Sequence, residues 1–302
     1  MFRTVEFPSQ GAALRGRLYL RPDWARRTPI VIMAHGFSAT ISGMVADRYA
    51  ETFYAAGLGV LLYDHRNFGF SGGEPRQEIN RWVQARGYRD ALNFVAALPE
   101  VDPDRIAIWG DSVSAGETIL VGAIDPLVRA VVVQVPACGD VAPPPDPDGS
   151  LFASIRTFFL TGDVSGATER ITGPLPVVSS DQRGTPSLLA PLTAYRWFIE
   201  YGGRHGTKWE NWATVVAPAA PAPYHPALCA PHLTAPLLMV MSPEDEMPGA
   251  RPGIARMTFD AAPGPKELFE ITGGHFGLLH YPSAAFDQAS TVQRDFLIRH
   301  LT

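Results

Sequence analysis

Three short segments carry residue types that could do covalent chemistry together. The first reads Arg105-Ile106-Ala107-Ile108-Trp109-Gly110-Asp111-Ser112-Val113-Ser114-Ala115-Gly116. An apolar strand passes through small residues into a helix, and a serine sits at the apex. Such a turn presents the hydroxyl at the carboxyl end of a sheet, and the amides that follow it open the helix. The sharpness of the turn demands small side chains two positions to either side of the nucleophile, where Gly110 and Ser114 stand. Ser114 is the rival nucleophile, but it lies five residues beyond Trp109, already inside the helix.

The second segment, Met33-Ala34-His35-Gly36-Phe37-Ser38-Ala39-Thr40, ends an earlier apolar run. A glycine here lets the chain turn so that the next amide points above the serine, where acyl transfer develops a negative oxygen. Phe37 N–H and Val113 N–H are the expected oxyanion donors, and His35 reads as a structural residue of the turn. The third segment is a pair of loops, each after an apolar run: Ser242-Pro243-Glu244-Asp245-Glu246-Met247-Pro248 and Thr272-Gly273-Gly274-His275-Phe276-Gly277. They supply an acid and then a histidine, the order serine, acid, histidine. Ser112 would attack a carbonyl, and His275 would take its proton and return it to the leaving group. An acid among Glu244, Asp245 and Glu246 would hold the imidazole, and water would release the acyl group. The other histidines, His65, His205, His225, His232, His280 and His300, read as surface or hydrogen-bonded structural residues.

These segments need a sheet to converge. Thr4 to Phe7 and Leu14 to Leu20 read as an opening pair of strands, and Pro29 to Ala34 and Gly59 to Tyr63 as buried strands. Ile106 to Trp109 reads as a short strand and Ala130 to Val135 as another. Helices are expected over Met44 to Ala56, Gln77 to Leu98 and Ala115 to Ile124. From Gly139 to Pro231 the rhythm fails, because 13 of the 28 prolines fall there, a density that excludes long strands and long uninterrupted helices apart from Leu192 to Gly202. Regular alternation resumes with a strand at Pro236 to Met241, a helix between Gly253 and Ala261, a strand at Lys266 to Ile271 and a last helix over Phe286 to Leu301. Strands alternating with helices at this spacing mean a mostly parallel α/β sheet wrapped on both faces.

The sequence resembles the α/β-hydrolases, and within them the dienelactone-hydrolase and S15-peptidase-like branch. The resemblance rests on His35-Gly36-Phe37, on Tyr63-Asp64-His65-Arg66-Asn67-Phe68-Gly69-Phe70-Ser71-Gly72-Gly73, on the Ser112 segment and on Gly273-Gly274-His275-Phe276-Gly277. It implies a core domain over 1–138 and 232–302, with a cap inserted over 139–231 after the sixth strand. By family spacing it implies Asp245 as the acid, with Glu244 and Glu246 as fallbacks and Asp140 as the position some relatives use. Asp64 and Arg66 would brace the loops beneath the site. Cap aromatics, above all Trp197, Tyr201 and Tyr195, are the expected substrate-binding residues.

Composition narrows the setting. With 25 Lys and Arg against 30 Asp and Glu among 302 residues, the net charge is −5, and no basic block offers a nucleic-acid footprint. Two cysteines, Cys138 and Cys229, make neither a disulfide framework nor a zinc site, and read as buried thiols in a reducing compartment. The start lacks a secretory pattern, and the longest apolar stretch, 119–135, is interrupted by Asp125, Pro126 and Arg129, so no membrane span is expected. These features read together as a cytoplasmic enzyme acting on a small-molecule ester, lactone or thioester, with no metal or organic cofactor. Peptide hydrolysis, acyl transfer and a non-catalytic binding role remain as alternatives. The sequence is silent on oligomeric state, and a homodimer is compatible with it.

Overall fold

The computed structural model describes residues 1–21 and 27–302. In the first half, β1 (Arg3–Ser9), β2 (Ala12–Tyr19) and β3 (Thr28–Ala34) precede α1 (Ala46–Ala55), β4 (Gly59–Tyr63), the short β5 (Glu78–Ile79) and α2 (Arg81–Ala96). Then follow β6 (Val101–Asp111), α3 (Val113–Ile124), β7 (Val128–Gln134), α4 (Ser150–Thr161), β8 (Thr168–Leu175), α5 (Leu192–Trp197), β9 (Ala213–Pro218) and α6 (Pro226–Cys229). The chain closes with β10 (Leu237–Met241), α7 (Pro252–Ala261), β11 (Lys266–Glu270), α8 (Gly274–Gly277) and α9 (Ala284–Leu301). Eight strands form one sheet in the order β1-β2-β4-β3-β6-β7-β10-β11. Its β1–β2 and β2–β4 pairings are antiparallel, and the rest are parallel.

The central strands are apolar throughout because helices cover both faces. Every residue of β3, β4 and β10 is buried. Alternate side chains divide between two cores. Ile32, Ile108 and Val133 face one way, packing with Tyr88 and Leu92 of α2 and Ile119 of α3. Met33, Trp109 and Val132 face the other way, with Tyr49 and Phe53 of α1 and Phe296 of α9. One polar tie crosses the second core. The Trp109 indole donates to Gln293 Oε1 at 2.7 Å, and Gln293 Nε2 donates to Gln134 Oε1 at 2.6 Å, which fixes α9 against β6 and β7.

Two expectations about elements need correction. The strand read as Ile106 to Trp109 runs from Val101 to Asp111, because β6 meets Thr28 at Val101 and resumes beside Ile30 at Ile106, a register shift that steps over Pro103. The proline-dense segment nevertheless holds the 12-residue α4 and the 8-residue β8. α4 contains no proline, and Pro174 falls at the end of β8, where its pairing with β9 shifts register. β8 and β9 join β5 in a separate three-stranded sheet. The helix read over Leu192 to Gly202 is α5 followed by a wider π-type turn, Phe198–Gly202.

Replacing Gln293 by Leu leaves the buried Trp109 N–H and the Gln134 amide without their partner, so Gln293→Leu should lose about 1–3 kcal/mol of stability in urea unfolding. An unchanged midpoint would mean that the tie is not needed to hold α9.

Candidate active site

Ser112 stands between β6 and α3 with φ 53° and ψ −116°, a backbone conformation that L-residues avoid. Neighbouring strands hold it there: Ser112 N–H donates to Gln134 O at 2.9 Å, and Ala137 N–H donates to Ser112 O at 2.8 Å. The approach of backbone to backbone is tight on both sides. A Cβ on Gly110 would lie 2.5 Å from the carbonyl carbon of Ser114, and one on Gly36 would lie 2.7 Å from Asp111 O and 2.9 Å from Ser112 Cβ. Ser114, the rival nucleophile, is 1% exposed and points away from solvent. Its Oγ donates to His35 O at 3.0 Å and lies 2.8 Å from His65 Nε2 and 3.1 Å from Glu117 Oε2.

The structure brings Ser112, His275 and Asp245 into one chain of contacts. His275 Nε2 lies 2.9 Å from Ser112 Oγ, and His275 Nδ1 lies 2.7 Å from Asp245 Oδ2. Asp245 is steadied from the other side, where its Oδ1 accepts Met247 N–H at 3.0 Å. The alternative acids are occupied elsewhere. Glu244 accepts Gly273 N–H at 3.1 Å, and Asp140 accepts Gly249 N–H at 2.8 Å while pairing with Arg251 at 3.3 Å. Glu246 accepts the backbone N–H of His275 at 3.0 Å and the Thr193 hydroxyl. Burial would raise its pKa, but those two hydrogen bonds outweigh it and hold the carboxyl below its ordinary value. Glu246 therefore positions the histidine loop and does not touch the imidazole nitrogens.

Phe37 and Val113, the residues whose amides are the expected oxyanion donors, border the same cavity as Ser112. Val113 is the first residue of α3, so its N–H has no acceptor within the helix. Among the described residues, Phe37 N–H donates to no protein acceptor. Its predecessor is pinned, since Gly36 N–H donates to Asp111 Oδ1 at 2.8 Å. Asp111 also faces His35 Nδ1 at 2.8 Å, and His35 Nε2 lies 2.5 Å from Met44 O, so both ring nitrogens meet acceptors. Burial opposes the imidazolium, but the Asp111 charge and these hydrogen bonds prevail, and the His35 pKa is raised. Asp64, expected to brace the loops, is fully buried and accepts Ile41 N–H and Phe70 N–H, each at 2.9 Å; burial lifts its pKa to about 6. Arg66 ties down its own loop by donating to Glu74 O at 3.0 Å.

A cavity of about 150 Å³ opens over Ser112 and His275, walled by Phe37, Leu189, Trp197, Phe198, Met247 and Phe276 among others. No family model matches the chain. It is 40% identical over 136 residues to the thiohydrolase aneE of Aspergillus aculeatus, a match covering 45% of this chain and 42% of that protein. A thiohydrolase of Eupenicillium brefeldianum is 28% identical over 92% of this chain and 88% of its own length. The acyltransferase drtE of Aspergillus calidoustus is 35% identical over 45% of this chain and 43% of its own. The strongest local matches thus span less than half of the curated relatives' length. In three dimensions the chain is similar to the α/β hydrolase GrgF from Penicillium sp. sh18, with a TM-score of 0.73 at 24% identity over 100% of this chain and 99% of that one.

The chain is an α/β-hydrolase by fold. The likeness does not single out the dienelactone-hydrolase branch.

Within this fold the expected substrate-binding aromatics divide. Trp197 lines the cavity, its indole N–H donating to Leu279 O at 2.8 Å. Tyr201 and Tyr195 do not line it. The Tyr201 hydroxyl is committed to the backbone of Tyr281, accepting its N–H at 2.9 Å. Tyr195 precedes Trp197 by two residues on α5, which turns it to the far side of the helix. Phe198 and Phe276 take their places, together with Arg81, the first residue of α2. Phe276 adjoins His275 in sequence and was within reach of motif reading, whereas a lone arginine after a strand carries no pattern. Cys138 and Cys229 are both buried and free; burial pushes the Cys138 thiol up to about 12, which leaves it inert.

The raised His35 pKa gives stability a pH dependence. Its contribution is fully present below the imidazole's ordinary value of 6.5 and is lost as pH rises through the folded-state value. Asp111→Asn removes the charge that raises it. The variant's stability deficit in urea unfolding should therefore be largest near pH 6 and smaller near pH 9; a deficit of the same size at both would argue against a charged pair.

Proposed function

We propose that the protein is a serine hydrolase that cleaves a carboxylic ester or thioester with a small or medium, mainly apolar acyl group. The observation that carries this reading is the continuous contact from Ser112 Oγ through His275 to Asp245, beside two unengaged amides. In it, His275 Nε2 removes the Ser112 proton as Oγ attacks the carbonyl carbon. Asp245 fixes the tautomer that leaves Nε2 free and stabilises the imidazolium. Phe37 and Val113 N–H receive the negative oxygen, where fixed donors are worth far more than mobile water. The imidazolium then protonates the departing oxygen or sulfur, and water repeats the sequence to release the acid.

Thioesters enter this proposal because relatives named thiohydrolases match the chain. Acyl transfer is the second reading, favoured by the similarity to an acyltransferase; it uses the same acyl-enzyme with another nucleophile in place of water. A peptidase of the S15-like kind would need a site for a charged amino group. The one carboxylate lining the cavity, Asp111, is already paired with His35. Residues 139–231 are the proposed cap, contributing Leu188, Leu189, Trp197 and Phe198 to the cavity. Among the described residues no helix is long and apolar enough to cross a membrane. A cytoplasmic setting is proposed from the two unpaired cysteines.

Intact-mass measurement after treatment with a fluorophosphonate tests the nucleophile. Wild type should gain one adduct and Ser112→Ala none; a folded wild type that gains none would sink the hydrolase reading. His275→Ala and Asp245→Asn should lower kcat by roughly 10³–10⁴-fold while the variants stay folded.

A cavity of about 150 Å³ is the size that holds one benzene ring. Among p-nitrophenyl esters, kcat/KM should accordingly peak at acyl chains of up to about six carbons. A steady rise to long chains would mean that the acyl group lies outside this cavity.

A further inference from the structure

Arg81 is the one lysine or arginine lining the cavity over Ser112, and it also lines a neighbouring groove of about 740 Å³ between the start of α2 and β9. It is half-buried, and among the described residues it makes no hydrogen bond or ion pair. Its guanidinium lies 5.8 Å over the ring of Tyr224. The cavity's one carboxylate, Asp111, is held by His35 and Gly36. Glu117, fully buried with its pKa raised by that burial, faces Ser114 at 3.1 Å and His65 at 3.4 Å and makes no ion pair with Arg81. The groove adds Arg170 and Glu169, one charge of each sign, and among the described residues Arg81 makes an ion pair with neither.

The cavity and the adjoining groove have unlike walls. Trp197, Phe198 and Phe276 belong to the core on the α1 and α9 face of the sheet, whereas Trp82 and Tyr224, beside Arg81, pack with the core on the α2 and α3 face. Ser112 lies just beyond the carboxyl end of the central strand β6. Resting on the hydrolase reading above, we infer that Arg81 is the anchor for an anionic group, a carboxylate or a phosphate, carried by the substrate on the opposite side of the scissile bond from the aromatic wall. A guanidinium suits either anion because its planar fork offers two parallel donors, and partial burial limits screening by salt. The groove beyond it has room for the rest of an anion-bearing arm. That anion has two sources with the same chemistry: a phosphate on the thiol half of a thioester, or a carboxylate at the end of the acyl half.

Four thioesters separate them: hexanoyl-coenzyme A, hexanoyl-N-acetylcysteamine, and the N-acetylcysteamine monothioesters of adipic and of heptanoic acid. Each is assayed with wild type, Arg81→Gln and Arg81→Lys, and binding of coenzyme A and of adipate alone is measured by calorimetry. Wild type should prefer the coenzyme A or the adipate substrate over its neutral counterpart. Arg81→Gln should reduce that preference in kcat/KM at least about tenfold and weaken the matching calorimetric binding, and Arg81→Lys should restore part of both. Loss confined to coenzyme A assigns the phosphate, and loss confined to adipate assigns the carboxylate. Equal losses on charged and neutral substrates, or no preference in wild type, would overturn the anchor. Binding lost with Arg81→Gln in a protein that turns over none of the four would uphold the anchor and refute the hydrolase reading instead.

Discussion

The arrangement depends on one close approach, that of the turn after β3 to the turn after β6. Gly36 and Gly110 leave no room for a Cβ, with Asp111 O, Ser112 Cβ and the Ser114 carbonyl carbon all within 3 Å of where one would stand. That contact sets the distance between the Phe37 and Val113 amides, and so the width of any oxyanion site. It also forces Ser112 to positive φ, a strain of about 1–3 kcal/mol that a free loop would relieve by flipping. The loop cannot flip, because the hydrogen bonds of Ser112 to Gln134 and Ala137 tie its backbone to the carboxyl end of the sheet. Burial of apolar strands thus supplies the rigidity that an exposed nucleophile needs.

Charge beneath the turns is distributed with the same economy. On the side of the amides, the Asp111 charge beside His35 raises the imidazole's pKa against burial, and Asp111 also fixes Gly36 N–H. On the opposite side of the elbow, burial depresses His65 to about 3 and raises Glu117, so desolvation works against charge on both groups around Ser114. A buried charge pair carries a large desolvation cost. The hydrogen-bond network explains how a serine stands where such turns usually place glycine: its hydroxyl has partners in His35 O, His65 and Glu117.

Much of this was legible in the residues, and the parts that were not share a cause. Gly59–Tyr63 was read to the residue, because a short continuous apolar run that opens on glycine has few alternatives. The elbow, the His35-Gly36-Phe37 turn and the two late loops were readable because sterics restrict which residues can stand there. Choosing Asp245 over Glu244 and Glu246 drew on family spacing, since three successive acids differ only in where a short loop aims them. The segment 139–231 was read least well. Proline counts say where elements stop, not what lies between, so α4 and β8 went unseen. Tyr201 illustrates the limit for side chains: its aromatic character is plain in sequence, but the backbone partner that claims its hydroxyl lies 80 residues away at Tyr281.

The same division separates chemistry from selectivity. Ser112, His275, Asp245 and the two amides sit at the carboxyl ends of strands, where the sheet fixes them whatever the substrate. The walls that would choose a substrate, Leu189, Trp197 and Phe198 on one flank and Arg81 beneath the small three-stranded sheet on the other, come from the irregular segment or from a helix start beside it. Those positions carry no steric obligation toward the elbow and are free to vary while it stays fixed. A fold of this kind can keep its reaction and exchange its substrate, so the functional assignment has to be argued from the cavity and cannot be taken from the sheet.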